Sequence, residues 1–335
     1  MSVDMSRLPV TIADIHEASH RLEKYARVTP LIQSYYMSSR AEGEVYLKLE
    51  NMQLTGSFKF RGAYNNIAQL SDEEKKRGVI ACSAGNHAQG VALSCKLLGV
   101  KATIVMPETA PKAKVEATEG YGAEVVLAGS YFDEAKKRCE ELAAESGAVF
   151  IPPYDDEKVV AGQGTIGLEI LNQLWDVDNI IVPVGGGGLI SGLAIAVKTF
   201  NPNIRVIGVQ AENIHGMTAS FRAKKITEHR EGATIADGCA VAVPGNLTFG
   251  VATQLIDDMV LVSEEEIHSA MKDLIQRAKI VCEGSGAMPS AAILSGKISP
   301  EILKGKKTVA VVSGGNIDLS KIEEVVDSFL HQPGE

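Results

Sequence analysis

From residue 78 onward the chain alternates short β-rich runs with amphipathic stretches of helical length, and no other feature limits the fold as tightly. Runs at 79–82, 102–106 and 123–127 are followed by helical stretches at 86–98, 111–121 and 133–146. A second series opens at 180–184, passes through a glycine run into a helix at 188–199, continues at 205–210, and closes with 308–312 before a helix at 318–330. Parallel neighbours cannot be joined by a tight hairpin, so each crossover takes a helix-length connection and helices cover both faces. The expected fold class is therefore α/β, with two open, twisted, mainly parallel sheets flanked by helices. A length of 335 residues suits two domains. The extended, proline-containing stretch 150–155 reads as the crossing between them.

Charge and composition narrow the partners. Lys and Arg number 33 against 42 Asp and Glu, a net charge of −9, which repels nucleic-acid phosphates and anionic membrane surfaces. With 45% hydrophobic and 22% charged residues the chain has the balance of a soluble globular protein. Its five cysteines (Cys82, Cys95, Cys139, Cys239 and Cys282) lie far apart with no C-x-x-C pair, so neither a zinc site nor a disulfide framework is expected. No apolar run reaches the ~18 residues of a membrane-spanning helix, and residues 1–11 lack the basic-then-apolar order of a signal peptide. A cytoplasmic location is the expectation.

Four clusters carry chemistry. Gly185, Gly186, Gly187 and Gly188 follow the apolar run 180–184 and open a helix. With no side chains in the way, backbone N–H groups at a helix N-terminus converge on an anion, and the helix dipole adds to the attraction, so a phosphate is the expected ligand group. The dinucleotide-binding spelling needs a third Gly or Ala three places beyond the second, where Ile190 and Ser191 stand. Glu212 ends the following strand and still imitates a ribose-binding acid, so a dinucleotide stays open, as does a turn whose glycines serve only tight packing. Gly305-Lys306-Lys307-Thr308 leads into a strand without the upstream glycine of a Walker A loop. The second cluster, Thr55-Gly56-Ser57-Phe58-Lys59-Phe60-Arg61-Gly62-Ala63, sets one lysine between aromatics. Desolvation there lowers the amine's pKa and raises its nucleophilic fraction, as a Schiff-base lysine requires; a surface lysine whose stem covers the rings is the alternative.

The third cluster, Ser83-Ala84-Gly85-Asn86-His87-Ala88-Gln89-Gly90, stands where a strand gives way to a helix, and its donors suit a small carboxylate as well as a phosphate. His87 is given no proton-transfer role. The fourth, Ser313-Gly314-Gly315-Asn316, again lies at the carboxyl end of a strand, where ligands of open α/β sheets bind. Three such strand ends plus one lysine converge on a cofactor with both a phosphate and a carbonyl, and pyridoxal phosphate has both.

The stretches TGSFKFRGA, SAGNHAQG, AGQGTIGLE, PVGGGGL and SGGN, in this order along nearly the whole chain, resemble the β-family, or fold type II, of pyridoxal-phosphate enzymes, whose fold is tryptophan synthase β-like. Within it the chain is similar to the catabolic, single-domain threonine dehydratases (threonine ammonia-lyases) and, next, to serine racemases. The resemblance implies a large cofactor-binding domain of residues 1–52 and 150–335 and a small substrate-carboxylate domain of residues 53–149. It implies that Lys59 holds the cofactor, that Gly185 to Gly188 with Leu189 bind its phosphate, that Asn86 bonds the ring hydroxyl and that Ser313 faces the pyridine nitrogen. Ser83, Ala84, Gly85, Asn86 and His87 would grip the substrate carboxylate. The implied reaction is loss of water and ammonia from L-threonine or L-serine, giving 2-oxobutanoate or pyruvate.

The resemblance carries further expectations. Relatives that bind a nucleotide effector between subunits do so at positions matching Leu54, Thr55, Gln89, Tyr121 and Asn316, with Leu54 in place of a frequent basic residue, so AMP or another nucleotide is a candidate partner and allosteric control a candidate property. Racemase relatives hold a divalent metal with an acid matching Glu212 and a second acid six places on, where this chain has Thr218. The family is generally dimeric or tetrameric, and helix 12–26 is a candidate contact. A regulatory domain after the catalytic unit, and with it feedback by isoleucine, is not expected from a chain that ends at Glu335. A racemase with side dehydratase activity is the rival reading, and a non-catalytic binder of a phosphorylated metabolite is the alternative of a different class.

Overall fold

Ten strands form two sheets in the computed structural model, which describes residues 3–330. They are β1 (Leu31–Gln33), β2 (Glu44–Leu49), β3 (Val79–Cys82), β4 (Ala102–Met106), β5 (Glu124–Leu127), β6 (Val149–Phe150), β7 (Asn179–Pro183), β8 (Arg205–Ala211), β9 (Asp258–Val262) and β10 (Lys307–Val312). The larger sheet has the order β1-β2-β10-β7-β8-β9 and the smaller β5-β4-β3-β6. Only β1 runs antiparallel to its neighbour, pairing Leu31 with Lys48; every other pairing is parallel. The two mainly parallel sheets of the α/β expectation are present, and the expected runs fall within a residue or so of the observed strands.

Helices cover both faces of each sheet, as a two-sided burial pattern demands. In β7 and β10, Ile180, Val182, Val309 and Val311 face one core, packed by Ile15, Ile166, Ile170, Ile190 and Leu193. Their neighbours Ile181, Ala310 and Val312 face the opposite core with Met37, Ile267, Met271 and Ala291. This period-two division follows from the pleat. In the smaller sheet Val79 and Ala81 meet Ala63, Ile67 and Val91 on one side, while Ile80 and Cys82 meet Ala135 and Cys139 on the other.

Strand order places the ligand crevices. In the larger sheet the chain steps from β7 to β8 to β9 in one direction, and β10 then enters on the other side of β7. In the smaller sheet it steps from β3 to β4 to β5, and β6 enters on the other side of β3. Each reversal opens a crevice beyond the carboxyl ends of two adjacent strands. Gly185 to Gly188 follow β7 and Ser313 to Asn316 follow β10; Ser83 to His87 follow β3 and residues 151–155 follow β6. All four sequence stretches therefore stand at one or the other reversal.

The helix expected over 12–26 ends at Leu22, and the chain after it turns outward. Its departure has a use, since the Arg27 carbonyl accepts from Arg61 Nη2 at 3.2 Å and the Thr29 carbonyl accepts from Lys48 Nζ at 2.8 Å.

Candidate active site

Lys59 opens the helix Lys59–Ala68 and is half-buried. Its Nζ donates to the Pro153 carbonyl at 2.8 Å and lies 5.5 Å from the centre of the Phe58 ring. Burial pushes its pKa down to about 8, against the opposing pull of Cys239 and Glu283. That shift raises the neutral, nucleophilic fraction at pH 7 roughly 300-fold over an ordinary lysine. The two flanking phenylalanines do not share the task. Phe60 turns away into a cluster with Leu22 and Tyr64, so Phe58 alone borders the amine.

The glycine run lies within the same crevice. It leads from β7 into the helix Gly188–Phe200, whose first turn receives no side-chain cap. A Cβ on Gly186 would strike the Tyr154 ring, one on Gly187 would strike Met217, and one on Gly188 would come 3.0 Å from the Tyr154 carbonyl oxygen. Gly187 also has φ 93°, which favours glycine. Thr248 Oγ1 donates to the Gly186 carbonyl at 2.6 Å and steadies the loop. The segment 153–155 ties the parts together: Pro153 accepts from Lys59, Tyr154 lies over Gly186, and Asp155 accepts from the Thr248 and Asn246 amides at 3.1 and 3.0 Å. Sequence reasoning read this stretch as a crossing and missed it as part of the site. The run Pro152-Pro153-Tyr154-Asp155-Asp156, dense in turn-forming residues, was the available signal.

On the other side, Ser83, Ala84, Gly85 and Asn86 are half-buried at the start of the helix Asn86–Leu98, which also lacks a side-chain cap. The Gly85 amide donates to Ser83 Oγ at 3.2 Å, and open space faces the position a Gly85 Cβ would take. His87 is buried with Nε2 2.9 Å from the Ile151 carbonyl. A carbonyl only accepts, so Nε2 carries the hydrogen. Burial, assisted by the nearby Lys59 charge, pushes the imidazole pKa down to about 3 and keeps it neutral. Asn86 Nδ2 donates to Glu283 Oε1 at 2.8 Å, and Asn86 Oδ1 accepts from Asn316 Nδ2 at 2.7 Å. Glu283 is buried; desolvation, then the charge of Asp237, pushes its carboxyl up to about 7. Cys239, whose thiol burial pushes up to about 12, interacts with Lys59, Glu283 and Ser285. Glu283, Ser285 and Cys239 were not singled out as functional from the sequence, where only the Glu-Gly-Ser-Gly run at 283–286, which opens the helix Gly284–Leu294, marks the first two.

Ser313, the residue after β10, is almost fully buried, and its carbonyl accepts from the Phe58 amide at 3.1 Å. The Gly315 amide donates to the Gly56 carbonyl at 2.9 Å, so the loop before Lys59 is stitched to the end of β10. Of the candidate nucleotide-effector positions, Thr55 and Asn316 meet directly, Asn316 Nδ2 donating to the Thr55 carbonyl at 2.7 Å. Leu54 packs against the cluster of Leu22, Phe60 and Tyr64, Gln89 is buried, and Tyr121 joins Val115 and Leu98 on the core of the smaller sheet. Glu212 and Thr218 have different partners. The Lys297 ammonium stands 3.6 Å from Glu212 Oε1, while Thr218 turns inward, its amide and hydroxyl both donating to Gln210 Oε1. Among the described residues no group of three His, Cys, Asp or Glu is placed to hold a metal.

This donor set fits pyridoxal phosphate. The glycine cradle at an uncapped helix start suits its phosphate, a partly neutral amine suits its carbonyl, and amide and hydroxyl groups border the space between. Comparison with known proteins agrees. Residues 22–314 match the family model described as pyridoxal-phosphate dependent enzyme. A catabolic L-threonine dehydratase of Staphylococcus aureus is 60% identical over 323 residues, covering 96% of this chain and 93% of the relative. Maize serine racemase superposes with a TM-score of 0.90 at 37% identity, over 96% of this chain and 98% of that one. The processed threonine deaminase isoform 2 of Solanum lycopersicum superposes with a TM-score of 0.87 at 39% identity, over 98% of each chain. With the site geometry and these matches together, the chain belongs to the pyridoxal-phosphate dependent enzyme family, in its fold type II branch.

Proposed function

We propose that this protein is a dehydratase that converts L-threonine, and L-serine, to 2-oxobutanoate or pyruvate with release of ammonia. The observation that carries the reading is the amine of Lys59, desolvated and held between the two strand-order reversals, in a chain 60% identical to a protein named as a threonine dehydratase. When bound, the cofactor supplies an electron sink for the bonds at Cα of the amino acid. Lys59 would hold the cofactor and would take the Cα proton of the substrate. Gly185, Gly186, Gly187, Gly188 and Leu189 hold the phosphate through main-chain N–H groups, and Asn86 bonds the ring hydroxyl. Ser313 meets the ring nitrogen with a hydroxyl, which is too weak an acid to keep that nitrogen protonated and so favours expulsion of a β-substituent over transamination. The segment from Ser83 to His87 grips the carboxylate at its helix start, with His87 as a neutral scaffold residue. Loss of the β-hydroxyl as water leaves an enamine, which takes the water back as it hydrolyses to the 2-oxo acid and ammonia.

The two sheets serve this reading as cores of two domains, residues 53–149 for the carboxylate and residues 1–52 with 150–335 for the cofactor. Adenine nucleotide at Thr55 and Asn316 belongs to the same proposal, as does a homodimer or homotetramer. No helix among the described residues is long and apolar enough to cross a membrane, which fits a cytoplasmic site of action. A binder of phosphorylated metabolites would have no use for a desolvated lysine. The test is direct: the purified protein is yellow, and Lys59→Ala loses both the colour and 2-oxobutanoate formation from threonine. Wild-type-like turnover in that variant would sink the proposal.

A further inference from the structure

An amide side chain offers an acceptor at one end and two donors at the other, and a half-turn about its last bond exchanges them. A site that uses one of its N–H groups must therefore fix the direction. Here the direction is fixed by a relay that begins on a main-chain atom. The Thr55 carbonyl, which only accepts, takes a hydrogen from Asn316 Nδ2 at 2.7 Å. The same nitrogen gives its other hydrogen to Asn86 Oδ1, also at 2.7 Å. The Asn86 NH2 group must then face the opposite way, and one of its hydrogens goes to Glu283 Oε1 at 2.8 Å. With Oδ1 and one N–H committed, Asn86 has a single N–H left.

Both ends of the relay are anchored. Thr55 and Gly56 adopt left-handed backbone, φ 62° and 71°, and a Cβ on Gly56 would come 2.6 Å from Asn316 Oδ1, so the turn and the Asn316 side chain fit each other closely. A threonine held there is strained, which the surrounding contacts must offset. At the far end the Glu283 amide donates to the Gly314 carbonyl at 3.2 Å. Asp237 and Lys114 face Glu283 from two other segments and pair with each other at 3.2 Å.

We infer that Glu283 and Asn316 are positioning residues, which turn the Asn86 amide so that its remaining N–H meets the ring hydroxyl of the cofactor. The inference rests on the pyridoxal-phosphate reading of the site. It is tested by a double-mutant cycle read in cofactor affinity, from the absorbance of apoprotein titrated with pyridoxal phosphate, for wild type, Glu283→Ala, Asn86→Ala and the double variant. Each single change is expected to weaken affinity about tenfold, the scale of one lost charge-assisted hydrogen bond, and the double variant to be no weaker than either single one. Glu283→Gln keeps an acceptor and is expected to stay within about threefold of wild type. Losses that multiply in the double variant, or an unchanged affinity in Glu283→Ala, overturn the inference. If Glu283→Ala does not fold, Asn316→Asp replaces it in the cycle, since a carboxylate opposite the Thr55 carbonyl breaks the relay at its other end. A wild-type protein that takes up no pyridoxal phosphate overturns the cofactor reading itself, whereas uptake with an additive cycle overturns the relay alone.

Discussion

In the proposed reading, Ala84 is the residue that would decide between elimination and racemisation. Racemisation needs a proton donor on the face of Cα opposite Lys59, a part that a serine hydroxyl can play. The Ala84 side chain packs against the core of the smaller sheet and has nothing to donate. L-Serine is therefore expected to give pyruvate with little D-serine, and Ala84→Ser to raise the D-serine share, as chiral chromatography of the products would show. Equal rates of the two products from wild type would mean that another group or a water supplies the proton. Single residues were unevenly legible in the sequence. Lys59 stood out because a cation between aromatics is chemically unusual, but the sharing of its surroundings between Phe58 and the distant Pro153 carbonyl depends on helix direction and on a partner 94 positions away. Beyond the glycine-rich run that follows it, Glu283 gave no sign of its raised pKa, which comes from burial that only the assembled fold provides.

At the scale of elements, the helix carrying Lys59 is held by close backbone crossings and by buried charge. A Cβ on Gly90 would come 3.1 Å from the Lys59 carbonyl carbon, and one on Gly162 would come 2.6 Å from the Arg61 carbonyl oxygen. Arg61 uses all five of its N–H hydrogens: two on Glu50, and one each on Glu169, Thr165 Oγ1 and the Arg27 carbonyl. Lys48 completes the cluster, its ammonium donating to Glu169 at 2.6 Å, to the Thr29 carbonyl and to Gln173. Burial alone would raise the Glu50 pKa, but Arg61 and then Lys48 outweigh it, and the carboxyl is held below its ordinary range. Its stabilising contribution is therefore present above the ordinary carboxylate range and is lost as the pH falls through the depressed value. Arg61→Met leaves Glu50 buried without its main partner and is expected to lower stability by about 3–5 kcal/mol, measured by denaturant unfolding of the apoprotein at neutral pH. A loss below about 1 kcal/mol would show that the cluster relaxes around the gap. The amphipathic helices and β-rich runs were readable from periodicity, since their signals are local. This cluster was not, because it joins residues as far apart as 48 and 173.

Across the whole molecule, the alternation of strand and helix announced parallel sheets but not their order, because order is set by which faces bury which helices. The two reversals, and with them the reason four separate sequence stretches share one region, appear only in the assembled sheets. The outer surface points to assembly. Val28, Met52 and Val281 are 71%, 44% and 46% exposed, on segments tied together by hydrogen bonds from Arg27 to the Met52 carbonyl and from Asn51 to the Val281 carbonyl. Apolar side chains grouped in this way are a common mark of a protein contact. Sedimentation at micromolar concentration is expected to show a species of at least twice 35.6 kDa, and Met52→Glu with Val281→Glu to shift it toward the monomer. A wild type that sediments only as a monomer would count against the proposed oligomer.

The two crevices have one more consequence. In the proposed reading a phosphate would be gripped beyond β7 and a carboxylate beyond β3, on sheets with separate cores, so a ligand carrying both groups on one backbone would be bivalent. Once either end docks, the other is presented at a high effective concentration, provided its reach matches the gap between the sheets. Selectivity for such a ligand then depends on the spacing of the two cores as much as on any contact within either crevice, and residues 151–155, which run from the smaller sheet past Lys59 to the glycine loop, are the measure of that spacing.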